Sequence, residues 1–130
     1  SIMTPLLPGG DNDDTWISYN MDNVIAKRND PMRIQTFLER GVAVIIDLNI
    51  KMAKVSKYKT HNPNLAILSA TGEDDIVTGS SKGLDKTFET LKKAGYNSIE
   101  NIVYPRMQHE ILNEKENEIV YYDILDFLDR

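Results

Sequence analysis

At 130 residues the chain is long enough for one compact domain and too short for two sizeable ones. A net charge of −5 and a pI near 5.0 argue against nucleic acid as a main partner, because phosphate binding needs a basic patch and no basic run occurs. With no cysteine, disulfides, thiolate chemistry and cysteine-based zinc or iron–sulfur sites are excluded, although the compartment stays open.

No apolar stretch approaches the ~20 residues that span a bilayer, so no transmembrane segment is expected. Ser1 to Pro8 lacks the basic start and long apolar middle of a signal peptide, which leaves an intracellular location as the default expectation. The opening Ser-Ile-Met reads as a cloning scar or an internal start point.

Ser1 to Asp30 carries two prolines, the Gly9-Gly10 pair and the acidic residues Asp11, Asp13 and Asp14. Without a sustained period it reads as a loop-rich arm, which Trp16, Ile17 and Tyr19 could tack onto a core. The remainder, residues 31–130, reads as an α/β unit. Asn29-Asp30-Pro31 has the form of a helix start. Ile34, Phe37, Leu38, Gly41, Ile45, Leu48, Met52 and Val55 then recur at spacings of three and four, predicting a helix of roughly seven turns that ends near Tyr58. Val42, Val44, Ile46 and Ile50 widen its apolar face and predict cover on more than one side. The β-branched run Val42 to Ile46 also admits a strand, but the periodicity on both flanks favours helix.

Thr60 to Asn64 is a turn, in which His61 reads as a solvated loop residue because no second ligand stands at metal spacing. Leu65 to Ser69 has the length of a buried strand and runs into the acidic loop Gly72-Glu73-Asp74-Asp75-Ile76-Val77. Ser80 to Gly95 reads as a helix with Leu84, Phe88 and Leu91 inward, capped by Ser80 or Ser81 and stopped by Gly95. Ile99 to Tyr104 is a second strand, and Asn113 to Arg130 a final helix. Helix, strand, helix, strand, helix implies parallel strands with crossover helices. Two strands are too few for an independent sheet, so the arm adds strands, the chain pairs with itself, or it forms part of a larger sheet.

Tyr104-Pro105 followed by His109-Glu110-Ile111-Leu112-Asn113-Glu114 resembles the end of the α/β-hydrolase fold in its monoacylglycerol lipase and lysophospholipase branch. The resemblance covers roughly Asp30 to Arg130 and implies the C-terminal part of a hydrolase sheet, incomplete alone, with the arm near the lid. It implies His109 as the base of a Ser-Asp-His triad. Gly72-Glu73-Asp74-Asp75-Ile76-Val77 is similar to the family pattern Gly-x-x-Asp-x-Val, which implies Asp75 as the acid, with Glu73 and Asp74 as the other choices. Met107 and Gln108 depart from the family, which often has a small residue and an arginine there.

Nucleophilic hydrolysis needs a serine, a base to take its proton and a carboxylate to orient the base. The order acid, then histidine, agrees with such a triad. Gly79-Ser80-Ser81-Lys82-Gly83 matches the nucleophile elbow formally, but it follows the acid and no strand of its own precedes it. The expectation is a serine hydrolase part acting on a glyceride or lysolipid ester, with its serine outside this chain and neither metal nor organic cofactor. Two other readings stand beside it. One is a non-catalytic domain that dimerises or binds a protein partner through a free sheet edge. The other makes Ser81 a relocated nucleophile.

Overall fold

The computed structural model describes residues 14–33, 39–58 and 60–130. At its centre two parallel strands, β1 (Ile67–Gly72) and β2 (Ile99–Tyr104), pair in register from Ile67 opposite Ile99 to Gly72 opposite Tyr104. Parallel neighbours cannot be joined by a tight hairpin, and here the crossover contains a helix of 14 residues, Ser80–Lys93. Leu84, Phe88 and Leu91 of that helix are half-buried, as their spacing predicts. Lys92 and Lys93 lie at its C-terminal end, where the helix dipole favours cations, and Gly95 at φ +100° turns the chain out of it. Its start differs from expectation. The preceding residue is Gly79 at φ +72°, Ser80 follows at φ +64°, and neither serine hydroxyl caps the helix.

Among the described residues four α-helices accompany the sheet: α1 (Met21–Asn29), α2 (Glu39–Met52), α3 (Ser80–Lys93) and α4 (Glu118–Leu128). The chain is therefore of mixed α/β content. α1 lies inside the segment expected to be loop-rich. The prolines and glycines of that segment all precede residue 11, while Met21 to Asn29 contains neither and includes Met, Ala, Lys and Arg, which are good helix formers. Val24 anchors α1 by complete burial.

α2 is shorter than its apolar period suggested, at 14 residues. Its predicted start is instead a turn. The Asp30 carboxylate accepts the Met32 N–H at 2.8 Å and the Asp30 carbonyl accepts the Arg33 N–H at 3.1 Å. An aspartate followed by proline closes such a turn as readily as it starts a helix. The predicted positions Ile34, Phe37 and Leu38 lie outside the described residues. At the other end the helix gives way at Ala53 to a 3₁₀ turn, Val55–Lys57. The cover expected over α2 is absent among the described residues. Val42 is buried, whereas Val44, Ile45, Ile46, Leu48, Ile50 and Met52 are exposed.

The core lies where β2 hands the chain to α4. Tyr104, Met107, Ile111 and Val120 are buried together, with Ala70, Ile102 and Ile124 packed against them. Ile111–Asn113 forms a 3₁₀ turn, so α4 begins five residues later than predicted, at Glu118. Among the described residues no helix is long and apolar enough to cross a membrane.

Candidate active site

Because β1 and β2 are adjacent and parallel, the loops leaving their C-terminal ends emerge side by side. Backbone hydrogen bonds lock the two loops together: the Glu73 N–H donates to the Tyr104 carbonyl at 2.9 Å and the Asp74 N–H to the Met107 carbonyl at 3.0 Å. Gly72 permits this approach. A Cβ at that position would overlap the backbone carbonyls of Met107 and Gln108.

The outcome is a close pairing of two residues separated by 34 positions. His109 Nδ1 lies 3.1 Å from Asp75 Oδ2. Asp75 is 6 % exposed, whereas the His109 side chain is 41 % exposed. The other Asp75 oxygen accepts the Val77 N–H at 2.8 Å, and the Asp75 carbonyl accepts the Thr78 hydroxyl at 2.9 Å. The carboxylate is thus held on one side by its own loop and presents the other to the imidazole. An Nδ1–H donated to Asp75 leaves Nε2 with its lone pair, the form a general base requires.

The remaining acidic candidates are placed differently. Glu73 is exposed, and Asp74 accepts the Tyr19 hydroxyl at 3.0 Å, a bond that holds the Tyr19 phenol above its ordinary pKa. Ser80 and Ser81 are exposed at the start of α3, and no hydrogen bond joins either to His109 among the described residues. His61 lies exposed in its turn. No cluster of three or more histidine, aspartate or glutamate side chains suited to a metal occurs among the described residues.

The segment Asp14 to Asn20, expected to be a surface arm, takes part in the site. The Trp16 ring packs on the His109 imidazole with centroids 5.5 Å apart and planes tilted by 39°. The Glu110 N–H donates to the Ile17 carbonyl at 2.8 Å. Glu110 itself is held by Asn23 at 2.8 Å, by Asn113 at 2.9 Å and by an ion pair with Lys27. Asp14 anchors the start of the segment through ion pairs with Arg33 and Arg28.

Glu114 enters the sequence motif His109 to Glu114 without a role of its own. It is only 2 % exposed. The one available signal was its place at the end of the Tyr104-to-Glu114 resemblance.

Comparison of the chain with protein-family models and with curated proteins finds no match to either.

Proposed function

We propose that the chain is the C-terminal part of a serine hydrolase, carrying the acid and the base of a triad whose serine lies outside residues 1–130. The carrying observation is the 3.1 Å contact between His109 Nδ1 and a buried, backbone-held Asp75. The C-terminal edge of a parallel sheet is also where open α/β proteins build their sites. The substrate class, a carboxylic ester of a glyceride or lysophospholipid, comes from the resemblance of Tyr104 to Glu114 to the lysophospholipase branch.

In the proposed cycle the serine oxygen attacks the ester carbonyl carbon while Nε2 of His109 takes its proton. The imidazolium so formed is stabilised by Asp75, which stays ionised. Collapse of the tetrahedral intermediate breaks the bond to the alkoxy oxygen, and His109 returns the proton to the departing alcohol. Water then attacks the acyl-enzyme by the same route, Nε2 accepting its proton and passing it to the serine as the acid leaves.

The test is labelling of the full gene product by a fluorophosphonate, with the modified residue mapped by mass spectrometry. The expected label sits on a serine outside residues 1–130, and His109→Ala suppresses it. A label on Ser81, or undiminished labelling of the His109→Ala variant, would overturn the assignment.

A second reading, a non-catalytic domain that self-associates, is favoured by the sheet itself. Among the described residues it has two strands, and Val103 on β2 is exposed.

A further inference from the structure

Glu114 is a carboxylate removed from water, with no cation in hydrogen-bond contact among the described residues, so its burial requires hydrogen bonds from other groups. It has four. One oxygen accepts the backbone N–H of Gln108 at 2.9 Å and of Tyr19 at 3.1 Å, and the other accepts the Ser18 hydroxyl at 2.8 Å and the Asn20 N–H at 3.1 Å. Three of these donors belong to the arm, and the fourth immediately precedes His109. The residue immediately following His109 is tied to the same arm, through the Glu110 N–H and the Ile17 carbonyl. Between these two ties the imidazole has Trp16 against its ring and Asp75 at Nδ1.

The geometry points to Glu114 as the positioning residue of the site, fastening the arm to the histidine loop so that His109 is held between Trp16 and Asp75 in a single tautomer. This inference rests on the reading of Asp75 and His109 as a working acid–base pair. Glu114 touches neither reacting group and acts only through the backbone on which His109 sits.

The chain suits a direct test because it has two histidines and one tryptophan. In a His61→Gln background, long-range proton–nitrogen NMR reads the tautomer of His109 alone. Quenching of the single tryptophan by the protonated imidazole reads whether Trp16 still meets it. The parent chain is expected to carry its neutral-state proton mainly on Nδ1 and to lose Trp16 fluorescence as His109 protonates.

Glu114→Gln keeps the shape and one acceptor oxygen. Its amide nitrogen fits best toward Ser18, whose hydroxyl can turn to accept, so the Gln108 tie survives and the arm loosens. The expected result is a several-fold fall in the ratio of Nδ1–H to Nε2–H and weaker quenching, with unchanged far-UV circular dichroism. Glu114→Ala, which loses both ties, should go further.

A folded Glu114→Gln variant with the parent's tautomer ratio and quenching overturns the inference. If Glu114→Gln does not fold, Ser18→Ala decides, since it removes one donor and keeps the carboxylate: a shift in the same direction supports the inference and none overturns it. A parent chain with no Nδ1–H preference overturns the acid–base pair itself. That outcome differs from one in which the parent shows the preference and the Glu114 variants leave it unmoved.

Discussion

Asp75 and His109 sit in unequal environments. The aspartate is buried with one oxygen tied to its own loop, and the histidine keeps part of its ring in solvent. Asp75→Asn preserves shape but can present an amide N–H to Nδ1, which favours the wrong tautomer. Hydrolysis by the full gene product should fall on the order of 10⁴-fold in kcat with little change in KM, measured by steady-state kinetics. Tyr104 offers a test that needs no activity. Burial, reinforced by its hydrogen bond to Asp123 at 2.9 Å, pushes the phenol up to about 12. In the unfolded chain it titrates near 10. Between those values the unfolded state has released a proton that the folded state keeps, so stability is fully present below pH 10 and is lost as pH rises toward 12. The loss should be on the order of 1–2 kcal/mol, allowing for the partial exposure of Asp123. Urea denaturation should show this decline in the parent, and a reduced one in Tyr104→Phe.

At the scale of elements, the crossing of the two loops depends on Gly72. Gly72→Ala would drive a Cβ into the Met107 and Gln108 carbonyls, so one loop must move. Overpacking of this kind costs roughly 1–3 kcal/mol, to be read as a lower denaturation midpoint, and should widen the gap between Asp75 and His109. Of the elements that build this crossing, β1 runs Ile67–Gly72, two residues later at its start and three at its end than the expected Leu65 to Ser69. β2, by contrast, occupies the six residues its apolar run predicted, and Gly95 ends α3 where the sequence places the stop. The pair Asp75 and His109 was legible only through the resemblance of Gly72 to Val77 and of Tyr104 to Glu114 to the hydrolase family; the adjacency of β1 and β2 is what brings the two loops together. The arm was legible in part: Trp16, Ile17 and Tyr19 do tack it down, as their apolar side chains suggested, but the hydrogen bonds that fasten it were not. Those bonds come from backbone groups of Ile17, Tyr19 and Asn20 and from the small side chain of Ser18, none of which leaves a periodic pattern. The start of α2 was misread because Asp30-Pro31 serves a turn as well as a helix, and local hydrogen bonds to the Asp30 carboxylate and carbonyl settle it.

For the molecule as a whole, apolar surface is distributed unevenly. Ile45, Leu48 and Met52 on α2 and Ile119, Tyr122, Leu125 and Leu128 on α4 are all exposed, more than solubility favours on a small domain. The 130-residue chain should therefore self-associate, and sedimentation velocity should show a mean mass rising with concentration. Leu125→Glu together with Leu48→Glu should shift it toward monomer. A chain that stays monomeric at all concentrations would mean these faces are tolerated as free surface. Self-association alone does not decide between the two readings, since the same faces would serve packing within a larger hydrolase or between two copies.

The most direct measurement is hydrolysis of a monoacylglycerol and of a lysophospholipid by the full gene product, comparing the parent with His109→Ala at equal circular dichroism. The parent is expected to turn over at least one ester, with a fall on the order of 10⁴-fold or more in the variant. Turnover that survives His109→Ala, or a folded parent that hydrolyses neither ester, would contradict it.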